Sequence, residues 1–456
     1  MKYIFLVLLT LILVSCSSKE QVALKEKQKE CKEVKPVVEL KENMEITEIE
    51  DLVTIPQDVE FFTKQLDSDA KIYDIQKKYE KYYFSVWNDI EPREILEDVK
   101  WPFDSYRAGD SYGENLQLLK QDFFDEMFEN ANFDKYATLN AKAITLRAVD
   151  IRAFPTIKPL LKDPKIAGEG FPFDYLQNST LQANKPLFVS HYSKDKAWVY
   201  AFSSFASGWI KSSEIVFLKT EYTDAWQQAQ QIFLTKENIP LYSTSGNFLF
   251  YSKIGMMLAL ISEDDKDFTA LAISSYKKSN PMFEQIKIPK NIASKNILKL
   301  NREALTNIMS EIFKSNYGWG GIYGQRDCSS MLRDMYAPFG IWLPRNSSQQ
   351  AKVGKIISLD NMSDEEKIST IKQRAIPFQT LLYKQGHILL YVGILNDDII
   401  VFHDTWGIKT KKDDAEGRVV VGKTVFSTLR LGKNVQNYDK ESEILRNLKS
   451  MNIITQ

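Results

Sequence analysis

A chain of 456 residues that holds only three cysteines and three histidines cannot be built on a disulfide framework or on an array of structural zinc sites. It must fold on buried apolar surface, and a composition of 44% hydrophobic and 26% charged residues permits that. At roughly 100 to 200 residues per domain, two to four domains are expected. Lysine and arginine total 59 against 60 acids, so the net charge of −1 provides no field for holding a polyanion, and nucleic acid is not an expected partner. The same scarcity lets each cysteine and histidine be placed one by one.

Residues 1–15 carry one positive charge, at Lys2, and then an apolar run from Tyr3 to Val14. That is the length of a signal-peptide core and short for spanning a bilayer. The run ends Leu13-Val14-Ser15-Cys16, which resembles a bacterial lipobox. The resemblance implies cleavage before Cys16 and lipidation of that cysteine, while a plain secretory signal would leave it incidental. Two or three acyl chains at ~0.8 kcal/mol per buried CH₂ make a permanent anchor. Ser17 rather than an aspartate follows Cys16, which implies an outer-membrane location facing the periplasm. Residues 16–50 then form a Lys/Glu-rich tether, without an aromatic residue from 19 to 50, that could span ~30 Å as a coil. Cys31 lies inside it with no expected role.

Five further segments differ in pattern. Residues 51–144 are rich in aromatics, Phe61, Phe62, Tyr79, Tyr83 and Trp87 among them, and broken at Pro92 and Pro102, as in a mostly helical packing domain. Short strand-like runs at 186–191 and 197–202 within 145–219 close on Gly208-Trp209-Ile210, which resembles a bacterial SH3-type barrel with Trp198 and Trp209 in its core. Residues 220–292 offer strands at 238–242, 253–261 and 268–273, and a second such barrel is the economical reading. Residues 293–435 run helix, helix, loop and strands, the order of an α+β domain, and 436–456 reads as a charged tail.

The chemistry concentrates in that α+β segment. Tyr317-Gly-Trp-Gly-Gly321 is followed, after six intervening residues, by Cys328-Ser329-Ser330. The pairs Met331-Leu332 and Met335-Tyr336 recur four apart, so Cys328 opens a helix that Pro338 and Gly340 end. A thiol at a helix N-terminus feels the positive end of the dipole, which favours thiolate. Only about 3% of an unperturbed thiol is ionised at pH 7, so a nucleophile here also needs a base. Two histidines follow: His387 heads a strand to Ile394, His403 ends one from Ile399, and Asn396-Asp397-Asp398 lies between as a turn. A tight turn would set His403 opposite Tyr391, so a bulge or strong twist is needed to bring the imidazoles together.

Taken in order, Tyr317–Gly321, Asp327-Cys328-Ser329, Leu343-Pro-Arg-Asn-Ser-Ser-Gln349, Gly386-His387 and Phe402-His403 resemble the NlpC-type cell-wall cysteine peptidases, a papain-like family. The resemblance implies an α+β papain-like domain at the C-terminus behind two SH3-like barrels and a helical N-terminal domain. It further implies hydrolysis of the γ-D-glutamyl to diamino acid bond of peptidoglycan stem peptides, with Cys328 as nucleophile, His387 as base and His403 as orienter. Asp327 and Ser329 would receive the free amine of the terminal L-alanine, although Asp327 could instead cap the Cys328 helix. Arg345 is a substrate contact or a loop anchor. On the first barrel, His191, Ser193 or Asp195 could touch substrate where that barrel walls the cleft. The implied partners are peptidoglycan stem peptides and the membrane that holds the lipid anchor, and the chain is read as a monomer.

No cofactor or metal is expected, because Cys328, His387 and His403 supply at most three ligands in no zinc pattern. Gly318–Gly321 lacks the Lys-Ser/Thr of a phosphate loop. Two other functions stay open: a wall-binding lipoprotein with an inactive domain, and an amidase or acyltransferase built on the same thiol and imidazoles.

Overall fold

The computed structural model describes residues 48–66 and 75–456, so the signal segment, Cys16, Cys31 and nearly all of the tether lie outside the described residues. From Glu48 to Gln456 the chain is one unit. Its aromatic N-terminal part forms short helices: α1 (Glu50–Thr54), α2 (Val59–Thr63), α3 (Gln76–Tyr83), α4 (Leu96–Val99), α5 (Trp101–Ser105) and α6 (Gln121–Ala131). Helices this short are marginal alone and hold by docking. Tyr79, Tyr83, Phe84 and Trp87 share a core with Phe188, Trp209, Phe233 and Met257 of the sheets that follow. The Trp87 indole N–H, which needs a partner once buried, donates to the Ala143 carbonyl at 2.9 Å.

A seven-stranded sheet comes next, formed by β1 (Ala141–Thr145), β2 (Val149–Arg152), β3 (Gln177–Leu181), β4 (Pro186–Tyr192), β5 (Trp198–Phe202), β6 (Ser207–Lys211) and β7 (Ile215–Phe217), in the order β3-β2-β6-β5-β4-β1-β7. Its first strand starts before residue 145, the boundary expected above. Ala141 already pairs with Val189, and small residues there hide the alternation that marks other strands. Helix α7 (Thr220–Gln228) leads to β8 (Gln231–Leu234), β9 (Pro240–Tyr242), β10 (Phe248–Tyr251), β11 (Met257–Glu263), β12 (Asp267–Lys277), β13 (Asn280–Pro289) and β14 (Ala293–Ser294). Strands β9 and β10 pair apart, the others form a five-stranded sheet in the order β13-β12-β11-β8-β14, and because β14 pairs with β8 this sheet extends past residue 292.

The C-terminal part contains α8 (Arg302–Ile312), α9 (Cys328–Tyr336), α10 (Ser347–Gln350), α11 (Asp364–Arg374) and α12 (Ile444–Asn447). Its antiparallel sheet joins β15 (Lys355–Ser358), β16 (Thr380–Lys384), β17 (His387–Leu395), β18 (Asp398–Lys412), β19 (Ala415–Thr428) and β20 (Leu448–Ile453) in the order β15-β20-β16-β17-β18-β19. Leu305, Met309, Met331, Leu332 and Met335 of α8 and α9 cover one face against Ile388, Leu390 and Phe402. Each such side chain, fully buried, contributes on the order of 1.5–3 kcal/mol. The arrangement is the expected α+β one.

The expected charged tail is a correction. Residues 448–453 form β20, inside the sheet between β15 and β16, with Leu448, Met451 and Ile453 buried. Charges at Asp439, Lys440, Glu441 and Glu443 precede the strand and mask its apolar positions in the sequence.

The β17–β18 hairpin turns on Asn396 and Asp397, whose φ values of 49° and 71° are those of a two-residue primed turn. One register shift, between Tyr391 and Gly393, then pairs Tyr391 with Val401 and Leu390 with Phe402. This is the bulge that the histidine spacing demanded.

Candidate active site

Helix α9 begins where Asp327 accepts the Ser330 N–H and the Ser330 hydroxyl accepts the Asp327 N–H, each at 2.9 Å, a capping box that leaves Cys328 as the first helical residue. The loop before it is pinned to the first barrel. Gly320 and Gly321 have positive φ, and a Cβ on either would strike Gln177 or Thr180 of β3, so only glycine fits there. The Thr180 hydroxyl donates to the Gly321 carbonyl at 3.0 Å. Arg326, next to the cap, is buried between Asp334 (2.9 Å) and Glu237 (2.7 Å), an ion pair that ties the second barrel to α9.

Cys328 is 8% exposed, with its sulfur against the backbone N–H of Ile388 at the start of β17. Burial, followed by the Asp327 carboxylate, pushes its thiol up to about 12. Both effects oppose the thiolate that the helix dipole favours.

Across the bulged hairpin, His387 Nε2 lies 2.8 Å from His403 Nδ1. His403 Nε2 in turn lies 2.9 Å from the Ser427 hydroxyl on β19. Burial lowers the His387 imidazole well below its ordinary value and holds His403 at about 3, so both are neutral near pH 7. The neighbouring Asp404 is fully buried, and burial followed by the Asp327 charge raises its carboxyl well above the carboxylate range.

Cys328 and His387 line one open cleft of about 530 Å³, together with Tyr317, Trp319 and Trp406. Its far wall is the segment between β2 and β3. Phe173 meets Trp319 at 5.4 Å and Trp406 at 5.5 Å, and Tyr175 meets Trp319 at 5.5 Å. Arg418 of β19 donates to the Ala167 carbonyl at 3.2 Å and fastens this wall.

The wall belongs to the first barrel, but not through the residues expected. His191 is 1% exposed, bonded to the Ala131 carbonyl at 3.0 Å and stacked on Tyr200, at the junction with α6. Asp195 accepts from the Ser193 hydroxyl at 2.6 Å and from Asn130 at 3.2 Å in the same junction. Neither lines the cleft, which corrects both as substrate contacts: His191 is buried on β4 against the helical domain, Asp195 sits exposed in the turn after that strand, and among the described residues the first barrel reaches the cleft through the 168–175 segment.

For Asp327 and Arg345 the structure favours the cap and the loop anchor over the substrate contact, and Ser329 is drawn into the same cluster. Arg345 grips Asp327 through two N–H groups at 2.6 and 3.1 Å, meets the Ser329 hydroxyl at 2.9 Å and reaches Ser179 of β3 at 2.8 Å. Burial alone would push the Asp327 carboxyl up, but the Arg345 guanidinium outweighs it and holds it at about 2. The carboxylate expected to take a substrate amine is already paired inside the protein. Residues not singled out as site candidates, namely Phe173, Trp319, Trp406 and Ser427, reach the site through long-range pairing; for Trp319 alone, inside the Gly-Trp-Gly-Gly run, was there a local signal.

Four family models match the chain. They are the NLPC_P60 stabilising domain, N term, over residues 5–136, an SH3 domain of SH3b1 type over 159–211, an SH3 domain of SH3b2 type over 223–265, and the NlpC/P60 family over 314–414. In fold the chain is similar to an NlpC/P60 endopeptidase from Photobacterium damselae subsp. piscicida, with a TM-score of 0.77, 22% identity, and 88% of this chain and 98% of that chain covered. An NlpC/P60 family protein from Bacillus cereus ATCC 10987 is matched more loosely, at a TM-score of 0.44 and 15% identity, with 61% of this chain and 82% of that chain covered. No curated protein matches the sequence. The C-terminal domain is thus of the cell-wall hydrolase class, a peptidase. The chain carries, in order, matches to an N-terminal stabilising domain, two SH3-type domains and an NlpC/P60 domain.

Proposed function

We propose that the protein cleaves the bond between γ-D-glutamate and the diamino acid of peptidoglycan stem peptides, using Cys328, His387 and His403 as its triad. The observation that carries this reading is the imidazole pair at 2.8 Å, one member of which shares a cleft with the buried thiol. Because burial and Asp327 raise the Cys328 thiol, His387 acts as a general base during attack rather than as half of a preformed ion pair. The thiol proton passes to His387 as sulfur bonds to the γ-carbonyl carbon. The Cys328 backbone N–H, at the first position of α9, stabilises the oxyanion. His387 then returns the proton to the leaving amine as the C–N bond breaks, and water cleaves the thioester by the same route. His403 orients His387 by hydrogen bonding; being neutral, it adds no charge stabilisation.

Since Arg345 already neutralises Asp327, we read the enzyme as indifferent to a free amine on the terminal L-alanine. The SH3-type barrels suit peptidoglycan binding, and lipidation of Cys16 would hold the peptidase, as a monomer, on the periplasmic face of the outer membrane. Cys16→Ala should then release it from membranes, and unchanged membrane association would count against the anchor. The direct test is incubation of the full chain with defined tri- and tetrapeptides and identification of products by mass. Fragments ending in γ-D-glutamate are expected; cleavage elsewhere, or none, would overturn the reading.

A further inference from the structure

The hydrogen-bond chain behind His387 runs past His403, and its far end sets the direction of every bond in it. The Ser427 hydroxyl has a single proton, which it donates to the Thr428 carbonyl at 2.9 Å. Towards His403 Nε2, 2.9 Å away, the Ser427 oxygen is therefore an acceptor, so His403 carries its proton on Nε2 and leaves Nδ1 bare. Nδ1 then accepts at 2.8 Å from His387 Nε2, which must carry the proton, and the other ring nitrogen of His387 is left with a free lone pair.

The opposite orientation has a different consequence. A Ser427 proton turned to His403 would put protons on His403 Nδ1 and on the outer nitrogen of His387, which could then accept nothing from a thiol. We propose that Ser427 is a positioning residue that fixes the tautomers of both imidazoles and so keeps His387 ready as a base.

The backbone around Ser427 is held firmly enough for this. Thr428 donates its N–H and its hydroxyl to the buried Asp51 carboxylate at 2.7 and 2.8 Å. On the other side, Phe426 exchanges two hydrogen bonds with the Gln57 side-chain amide, at 2.8 and 3.0 Å. The strap from Asp51 to Gln57 thus covers the edge of β19 and pins the residues that flank Ser427.

This inference rests on the proposed triad, yet its first test does not require activity. Nitrogen-15 shifts of the histidine rings in the full chain should show His403 protonated on Nε2 and bare on Nδ1, with that preference lost in Ser427→Ala. A wild-type His403 protonated on Nδ1 would overturn the proposal, whatever the enzyme cleaves. In turnover, Ser427→Ala should lower kcat about five- to thirtyfold with KM unchanged, and Ser427→Thr, which keeps the hydroxyl, should retain most of it. In a His403→Asn background, where the carboxamide oxygen accepts from His387 without help, Ser427→Ala should cost nothing further. Wild-type kcat in Ser427→Ala, or the same loss in both backgrounds, would reduce Ser427 to a packing residue.

Discussion

Two polar clusters flank Cys328, and they are built on opposite principles. On one side, Asp327 and Arg345 are fully charged, buried and bonded to each other, with Ser329 and Ser179 taking up the remaining donors. On the other, His387, His403 and Ser427 are linked by single bonds between neutral groups. The first cluster cancels its charges internally and holds α9 to the first barrel. The second leaves one lone pair unspent, and proton transfer needs that. Burial alone therefore does not mark a catalytic group; what matters is whether its bonding capacity is exhausted.

The contrast can be broken most severely at its centre. Cys328→Ala should abolish cleavage of a stem peptide while circular dichroism and melting temperature stay near wild type, since the alanine keeps α9. His387→Ala should lose about 10²- to 10⁴-fold in kcat, and His403→Ala less, because orientation is a smaller contribution than proton transfer. Wild-type turnover from His387→Ala would transfer the base role elsewhere.

Cutting the charged cluster should act on stability instead. Arg345→Ala strands the Asp327 carboxylate, 9% exposed, and should cost about 3–5 kcal/mol in urea unfolding. A loss under 1 kcal/mol would mean that the pair does not hold α9 to the barrel.

pH separates the clusters by window, not by sign: the stability tied to the Asp327 carboxyl, held at about 2, is lost only as pH falls below the ordinary 3.8. The imidazole values are lowered on folding, so between about 3 and the ordinary 6.5 the unfolded chain binds protons that the folded one refuses. Stability should fall as pH drops through that window, while the acid limb of kcat/KM, which reports His387, should sit below the ordinary imidazole value. An acid limb at 6.5 or above would contradict the lowering of the His387 imidazole.

The smallest expected effect sharpens the comparison most. With Asp327 satisfied by Arg345, kcat/KM for a free tetrapeptide and its N-acetylated form should agree within about threefold. A preference well above tenfold for the free amine would show that Arg345 yields to substrate, as expected for loss of a desolvated ion pair.

Much of this was legible before the fold. The capped start of α9, its apolar spacing and the three residues proposed as the triad are local or follow from rarity, since only two histidines lie downstream of Cys328. The need for a bulge was also readable, because a strand's two-residue period makes a one-residue shift flip every side chain. Where the bulge falls, at Val392, was not.

What the sequence determined alone is therefore the chemistry on offer: a lone thiol at a helix start, two imidazoles on paired strands and glycines where backbone must approach backbone. Only the tertiary structure decided how those groups are spent. Asp327 meets Arg345 across 18 residues, Ser427 meets His403 across 24, and Thr428 meets Asp51 across 377. Helix caps and apolar periods arise from neighbours within four residues and are written in order along the chain. Hydrogen-bond saturation and desolvation depend on which distant groups the sheet register and the barrel docking bring within 3 Å, and no local pattern encodes that distance.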